Sequence, residues 1–247
     1  MPNTRLDKLI ASQLNISRKD ARIGIRRGQA AVNSETVKNP EFSVDPERDS
    51  VLYNGQAVCY KQYIYIVMNK PAGVLSASAD KSRETVVDLV PEKLQRRGLF
   101  PVGRLDKDTT GLLIITDDGD FAHRVLSPQK NIFKTYIAEL DGDITEQTLD
   151  IFSREITLAD GTVCRRAYFK KLDTRTAEIK ICEGKYHQIK RMLGVAGLGV
   201  NALERKAIGG YALPDFLNEG ECAEVSKNEL IAIFSNNDSQ TDNRQPK

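Results

Sequence analysis

Gly103-Arg104-Leu105-Asp106-Lys107-Asp108-Thr109-Thr110-Gly111-Leu112-Leu113-Ile114-Ile115-Thr116-Asp117-Asp118 reads as a polar loop feeding a buried strand. Leu112, Leu113, Ile114 and Ile115 form an apolar run of strand length, bounded by turn formers on both sides. Asp106 stands at the mouth of that strand, with the turn-forming Gly103, the cation Arg104 and the hydroxyls of Thr109 and Thr110 around it. A rigid strand in this position aims a loop carboxylate, which is the arrangement a reactive acid needs.

The tetrapeptide itself carries no such information. Arg5-Leu6-Asp7-Lys8 repeats the letters of Arg104-Leu105-Asp106-Lys107, yet it opens a helical pattern with Leu6, Leu9, Ile10 and Leu14 on one face. The signal therefore rests on the glycine before Asp106, the Thr-Thr-Gly after it, and the strand. Asp106, Asp108, Thr110, Gly111 and Asp117 also fall on positions of a calcium-loop template. That reading fails on its closing residue, since Asp117 is shorter than the bidentate Glu required. Ile114 stands where a ligand is needed, and a strand replaces the incoming helix.

With 247 residues the chain has room for a large domain plus a small one. Lys and Arg total 36 against 34 acids, a net charge of +2, so a histone-like polycation is excluded and nucleic-acid contact must come from local patches. Met1 to Asp7 lack the apolar core of a signal peptide, and no run approaches a membrane span, so a cytoplasmic protein without membrane contact is expected. Cys59, Cys164, Cys182 and Cys222 lie far apart without a Cys-x-x-Cys pair, which points to four buried or partly buried thiols, with neither zinc nor disulfides.

Residues 1–60 read as two short helices, 4–14 and 18–28, followed by brief strands at Ala30-Ala31-Val32 and Ser50-Val51-Leu52-Tyr53. Ser17 is a good N-cap for the second helix. Arg18, Arg22 and Arg26 recur every fourth residue of that helix and share a face, where like charges repel unless a polyanion meets them. Residues 61–234 mix strands and helices: strands at 63–68, 112–116, 133–140 and 176–181, helices at 121–126, 145–152 and 187–195. The strands are too irregularly spaced for repeated βαβ units, so an α+β fold is expected, with helices packed on a mixed or antiparallel sheet. Residues 235–247 have no apolar side chain and read as a disordered polar tail.

Two further constellations follow. Lys134-Thr135-Tyr136 sits in a strand, where Tyr136 could equally be a core aromatic with its hydroxyl satisfied. Glu183-Gly184-Lys185-Tyr186-His187-Gln188-Ile189-Lys190-Arg191-Met192 is a glycine turn leading into a helix that starts with cations. Cations there oppose the helix dipole, so a carboxylate or phosphate is expected nearby. His187 reads as a brace of that turn.

Taken in order, Asn69-Lys70-Pro71-x-Gly73, Gly103-Arg-Leu-Asp-x-x-Thr-x-Gly-Leu, Lys134-x-Tyr136 and Glu183-Gly-x-x-His-Gln-Ile-Lys-Arg-Met resemble the RsuA/RluB/RluE/RluF family of RNA pseudouridine synthases. The resemblance covers nearly all of the chain except the tail. It implies an S4-like RNA-binding module ahead of the catalytic domain, a monomer, and no cofactor or metal. It makes Asp106 the catalytic carboxylate, Tyr136 the active-site ring that stacks on uracil, and Lys190 the cation paired with Asp106, with Arg191 as a substitute partner. Arg104 would help extrude the target nucleotide, and Lys185, His187, Gln188, Arg191 and the Arg18/Arg22/Arg26 face would contact RNA. The His187-Gln188 turn and Gly209-Gly210 most resemble members acting on 16S ribosomal RNA, at uridine 516, free or in the assembling small subunit. The alternatives are a 23S ribosomal RNA target and a non-catalytic ribosome-associated protein.

The chemistry suits so sparse a site. Uridine loses its C1′–N1 bond, the base rotates while held, and C5 re-forms the link, with no redox change. One carboxylate suffices, either as nucleophile or as base toward the C2′ proton. The base must leave the RNA stack to reach it, which calls for an aromatic platform and a nearby cation.

Overall fold

The computed structural model describes residues 3–235, so the tail expected from 235 onward lies, past its first residue, outside them. The chain divides into two compact units, residues 1–64 with 91–99, and residues 65–90 with 100–247. Segment 91–99 thus belongs with the first unit, where Arg96 donates to the Lys61 and Gln62 carbonyls.

In the first unit, helix α1 (Leu6–Gln13) and helix α2 (Arg18–Arg26) pack on strands β1 (Ala30–Val32) and β2 (Val51–Tyr53), the centre of a four-stranded sheet. Leu6, Leu9, Ile10, Ala21 and Ile25 meet Val32, Val44 and Val51 in its core. The first helix starts two residues later than its periodicity suggests, because Thr4 and Arg5 pair with Val44 and Ser43. Ser17 caps α2 as expected, accepting from the Asp20 backbone.

The second unit is built on strands β3 (Tyr65–Lys70) and β4 (Thr110–Thr116), helix α3 (Gly119–Leu126), strand β5 (Lys134–Leu140), helix α4 (Glu146–Phe152), strands β6 (Tyr168–Lys171) and β7 (Thr176–Ile181), helix α5 (Gln188–Val195), and strands β8 (Val200–Ile208) and β9 (Cys222–Val225). The sheet runs β6-β7-β5-β8-β4-β3-β9, with two-residue strands added at its sides. Neighbours are antiparallel except β8 and β4, which are parallel, so the fold is the expected α+β with a mixed sheet. Val67, Leu112 and Ile114 face Phe121, Val125, Leu230 and Ile233 in the core. Helices α3 and α4 begin on the side-chain caps Asp118 and Thr145.

Gly111 pairs with Arg205 where β4 runs beside β8. Its φ is +99°, and a Cβ there would collide with the Arg205 backbone. Among the cysteines, Cys164 is buried and Cys182 and Cys222 are half-buried, but Cys59 is exposed, contrary to the expectation for it. Among the described residues no helix is long and apolar enough to cross a membrane.

Candidate active site

Four backbone devices hold the loop that carries Asp106. Ser76 Oγ donates to the Leu105 carbonyl and accepts from the Leu105 amide, both at 3.0 Å. On the other side of Asp106, the Gly73 amide donates to the Lys107 carbonyl at 2.8 Å. Below it, the fully buried Lys70 Nζ donates to the carbonyls of Pro71, Lys107 and Thr109 at 2.8, 3.2 and 3.0 Å. Finally, Thr109 N closes the turn on the Asp106 carbonyl. Burial pulls the Lys70 ammonium down to about 8, against the carboxylates of Asp108, Glu219 and Asp106, which favour its charged form.

Asp106, Thr109, Tyr136, His187 and Lys190 line one cavity of about 80 Å³, with Arg104 exposed at its mouth. Tyr136, buried in β5, supplies an aromatic wall, and Ile181 and Leu203 add apolar surface. Thr109 Oγ1 is buried without a hydrogen-bond partner among the described residues. The cavity gathers all three residues expected to be catalytic, and the pairing within it differs from expectation.

Neither cation of α5 reaches Asp106. Lys190 Nζ lies 2.5 Å from Asp108 Oδ2 and Arg191 Nη2 lies 2.5 Å from Asp160 Oδ2. The Lys190 hydrogen bond holds the Asp108 carboxyl below its usual range. Hydrogen bonds from Thr162 and Arg191 hold Asp160 at about 2. These acids are the compensation that the cationic start of α5 called for.

The group that does approach Asp106 is His187, whose Nε2 is 3.6 Å from Asp106 Oδ1. Its backbone occupies the left-handed region, φ 47° and ψ 36°, at the N-cap of α5. A non-glycine residue there is uncommon, and the conformation turns the ring toward the carboxylate. Tyr186, largely exposed, stacks on it with ring centres 3.8 Å apart. Spacing alone marked His187 as a brace, since the left-handed turn has no sequence signal outside glycine and asparagine.

Gln188, expected to contact RNA, lines the cavity from the start of α5. It is buried, accepts from the Lys185 amide and donates to Glu183 Oε1 at 2.7 Å, so it braces the turn. Lys185 is also engaged, on Glu183 and the Val163 carbonyl. Lys70 and Ser76 were missed as supports of the loop. The Asn69-Lys70-Pro71 break was the available signal, since a lysine in a strand of otherwise apolar residues must find oxygen partners when buried.

In the first unit, Arg5, Arg18, Lys19, Arg22 and Arg26 line an open depression. Arg18 and Arg22 share the buried Asp7 carboxylate with Arg5, so internal charge answers part of the repulsion that seemed to require a polyanion. Burial raises the Asp7 pKa, but hydrogen bonds from Arg5 and Arg18 outweigh it and leave the carboxyl below its usual range. Arg26 and Lys19 are exposed and have no ion-pair partner among the described residues. Nor, among those residues, is any group of three or more His, Cys, Asp or Glu side chains placed to hold a metal ion.

A family model described as RNA pseudouridylate synthase matches residues 64–194. The chain is 39% identical over 230 residues to an uncharacterised RNA pseudouridine synthase of Bacillus subtilis, covering 92% of this chain and 96% of the relative. It is 35% identical over 231 residues to the ribosomal small subunit pseudouridine synthase A of Escherichia coli, covering 93% and 99%. Among solved structures, a pseudouridylate synthase crystal structure superimposes with a TM-score of 0.64 at 30% identity, covering 93% of this chain and 99% of that one.

Proposed function

The chain belongs to the RsuA-like family of RNA pseudouridine synthases, isomerases of uridine in RNA, and from that premise we propose that it acts on 16S ribosomal RNA, at uridine 516, with Asp106 as the catalytic carboxylate. One observation carries the assignment: Asp106 is fixed by its backbone on both sides, opens into a cavity walled by Tyr136, and has no lysine or arginine bonded to it among the described residues. Similarity across almost the whole length of the small-subunit enzyme supports the choice of RNA.

The target uridine flips out of the stack and its base enters against the Tyr136 ring, while Arg104 at the mouth fills the gap left behind. Asp106 acts on the sugar, as nucleophile at C1′ or as base at the C2′ proton, and the N1–C1′ bond breaks. The uracil turns in place, C5 bonds to C1′, the C5 proton leaves toward the Tyr136 hydroxyl, and N1 ends protonated. Mass and oxidation state are unchanged, so the residues present suffice. His187, beside Asp106, holds the carboxylate's orientation. The first unit serves as an S4-like RNA-binding module, with Arg26 and Lys19 free to meet phosphates beside Arg18 and Arg22. The protein works as a monomer in the cytoplasm, on 16S RNA free or in the assembling subunit.

The test is a map of pseudouridine in ribosomal RNA from cells with and without this protein. One 16S site lost on deletion is the expected result. A site lost in 23S RNA would redirect the target, and unchanged maps of both RNAs would overturn the proposal.

A further inference from the structure

Behind Tyr136 lies a second, larger cavity of about 390 Å³, which adjoins the first through Arg104, Tyr136 and Gly184. Arg205 and Lys134 line it together. Arg205 sits directly across from Tyr136 in the β5–β8 pairing, and Lys134 is two residues before Tyr136 on the same strand.

Arg205 is only 4% exposed. Its Nε donates to the Leu112 carbonyl at 2.8 Å, while Nη2 is buried with no hydrogen-bond partner among the described residues. A buried guanidinium donor left open is costly, and the cost is removed when an acceptor enters. Burial and the Arg205 charge both push the Lys134 ammonium below its usual range, so two cations share a poorly solvated space. Glu183 also lines the cavity, but its carboxylate is already engaged by the Arg165 amide, Gln188 and Lys185. Val125, Leu126 and Ile208 add apolar surface to the same lining, Ile208 as the cross-strand neighbour of Lys134. Donors without an open acceptor, in a cavity that also has apolar lining, match a nucleotide: a phosphate for the cations and a sugar or base for the apolar surface.

We propose that this cavity binds a phosphate of the substrate RNA next to the flipped uridine, on Arg205 and Lys134, with the adjoining nucleoside against Val125 and Leu126. The inference rests on the enzyme acting on RNA, and gives Arg205 a positioning role: gripping the backbone one step from the target sets how far the uridine enters toward Asp106. A free nucleotide offers the same chemistry, so the test separates the two sources.

Arg205→Gln places an amide nitrogen where Arg205 Nε now donates to Leu112, so the strand contact survives and only the guanidinium head is lost. Lys134→Met keeps the aliphatic stem. Affinity of each variant for 16S and 23S transcripts is measured against salt, beside thermal melting and turnover. Each change should weaken binding of the converted transcript about tenfold. It should also lower the salt slope by about one, and raise KM more than it lowers kcat. Uridine monophosphate should compete with RNA on the wild type and do so less well on Arg205→Gln, while uridine alone should not distinguish them. RNA affinity and salt slope unchanged in both folded variants would overturn the proposal. So would a loss confined to uridine monophosphate, which would make the cavity a free-nucleotide site. A wild type that converts neither transcript would instead count against the proposed function.

Discussion

At residues 5–8 and 104–107 the chain carries the same four letters, Arg-Leu-Asp-Lys, yet Asp7 is fully buried while Asp106 keeps 30% of its side chain exposed. Asp7 lies in the first turn of α1, where Arg5, Arg18 and Arg22 converge on it and helix geometry places its neighbours. Asp106 lies in a loop clamped through its backbone by Ser76, Gly73 and Lys70, so its side chain is left open to the cavity. The difference lies in who satisfies the carboxylate. A carboxylate fully paired inside the fold stabilises structure, and one on a backbone-clamped loop, approached by His187 and still partly exposed, is available to a substrate.

The sharpest way to break this contrast is inside the cavity. Tyr136→Phe keeps the ring and removes the hydroxyl, so the conversion rate should fall roughly 10²- to 10⁴-fold with RNA affinity preserved. A rate within twofold of wild type would remove Tyr136 from proton transfer. In the other copy, Asp7→Asn should lower the unfolding free energy by about 2 kcal/mol, below the usual loss for a broken buried pair because its arginines are half-exposed. Single-turnover conversion at saturating RNA should be unchanged, and a loss there would erase the distinction between the two copies.

Smaller effects test the supports. Lys190→Met should cost less than tenfold in rate, since its ammonium sits on Asp108, a largely exposed partner. A hundredfold loss would place Lys190 on Asp106 once RNA is bound. Lys70 has the subtlest signature. Between about 8, its value in the fold, and the ordinary 10.5, the unfolded chain holds a proton that the folded chain has released. Its contribution therefore grows more favourable to folding as pH rises through that window. Denaturant unfolding at pH 7.5 and pH 10 should show wild type gaining stability relative to Lys70→Met, and equal pH responses would contradict the buried-ammonium assignment.

Elements with strong local signals were legible in the sequence: α2 with its Ser17 cap, α4 behind Thr145, the apolar run of β4, and β7 over 176–181. The longest strand, β8, was not, because Glu204, Arg205 and Lys206 interrupt any alternation and Arg205 is buried by tertiary contacts alone. Strand β3 was shifted by two residues, since nothing local says that Lys70 lies inside the sheet with its charge capped by three carbonyls. At the site, the sequence brought forward Asp106, Tyr136 and Lys190, which share one cavity. The pairing of Lys190 with Asp108 and the approach of His187 depend on the hand of the turn at 187, which side-chain identity does not encode.

The central claim, that the open carboxylate of the second copy does the chemistry, is tested most directly by Asp106→Asn. The change preserves shape and removes the charge and the nucleophilic or basic oxygen, so both routes through the sugar are lost. The measurement is conversion of uridine to pseudouridine in 16S ribosomal RNA by the purified variant, beside melting temperature and RNA affinity. No detectable conversion, with folding intact and RNA binding equal to or tighter than wild type, is the predicted result. Conversion near the wild-type rate by the folded Asp106→Asn protein would contradict it.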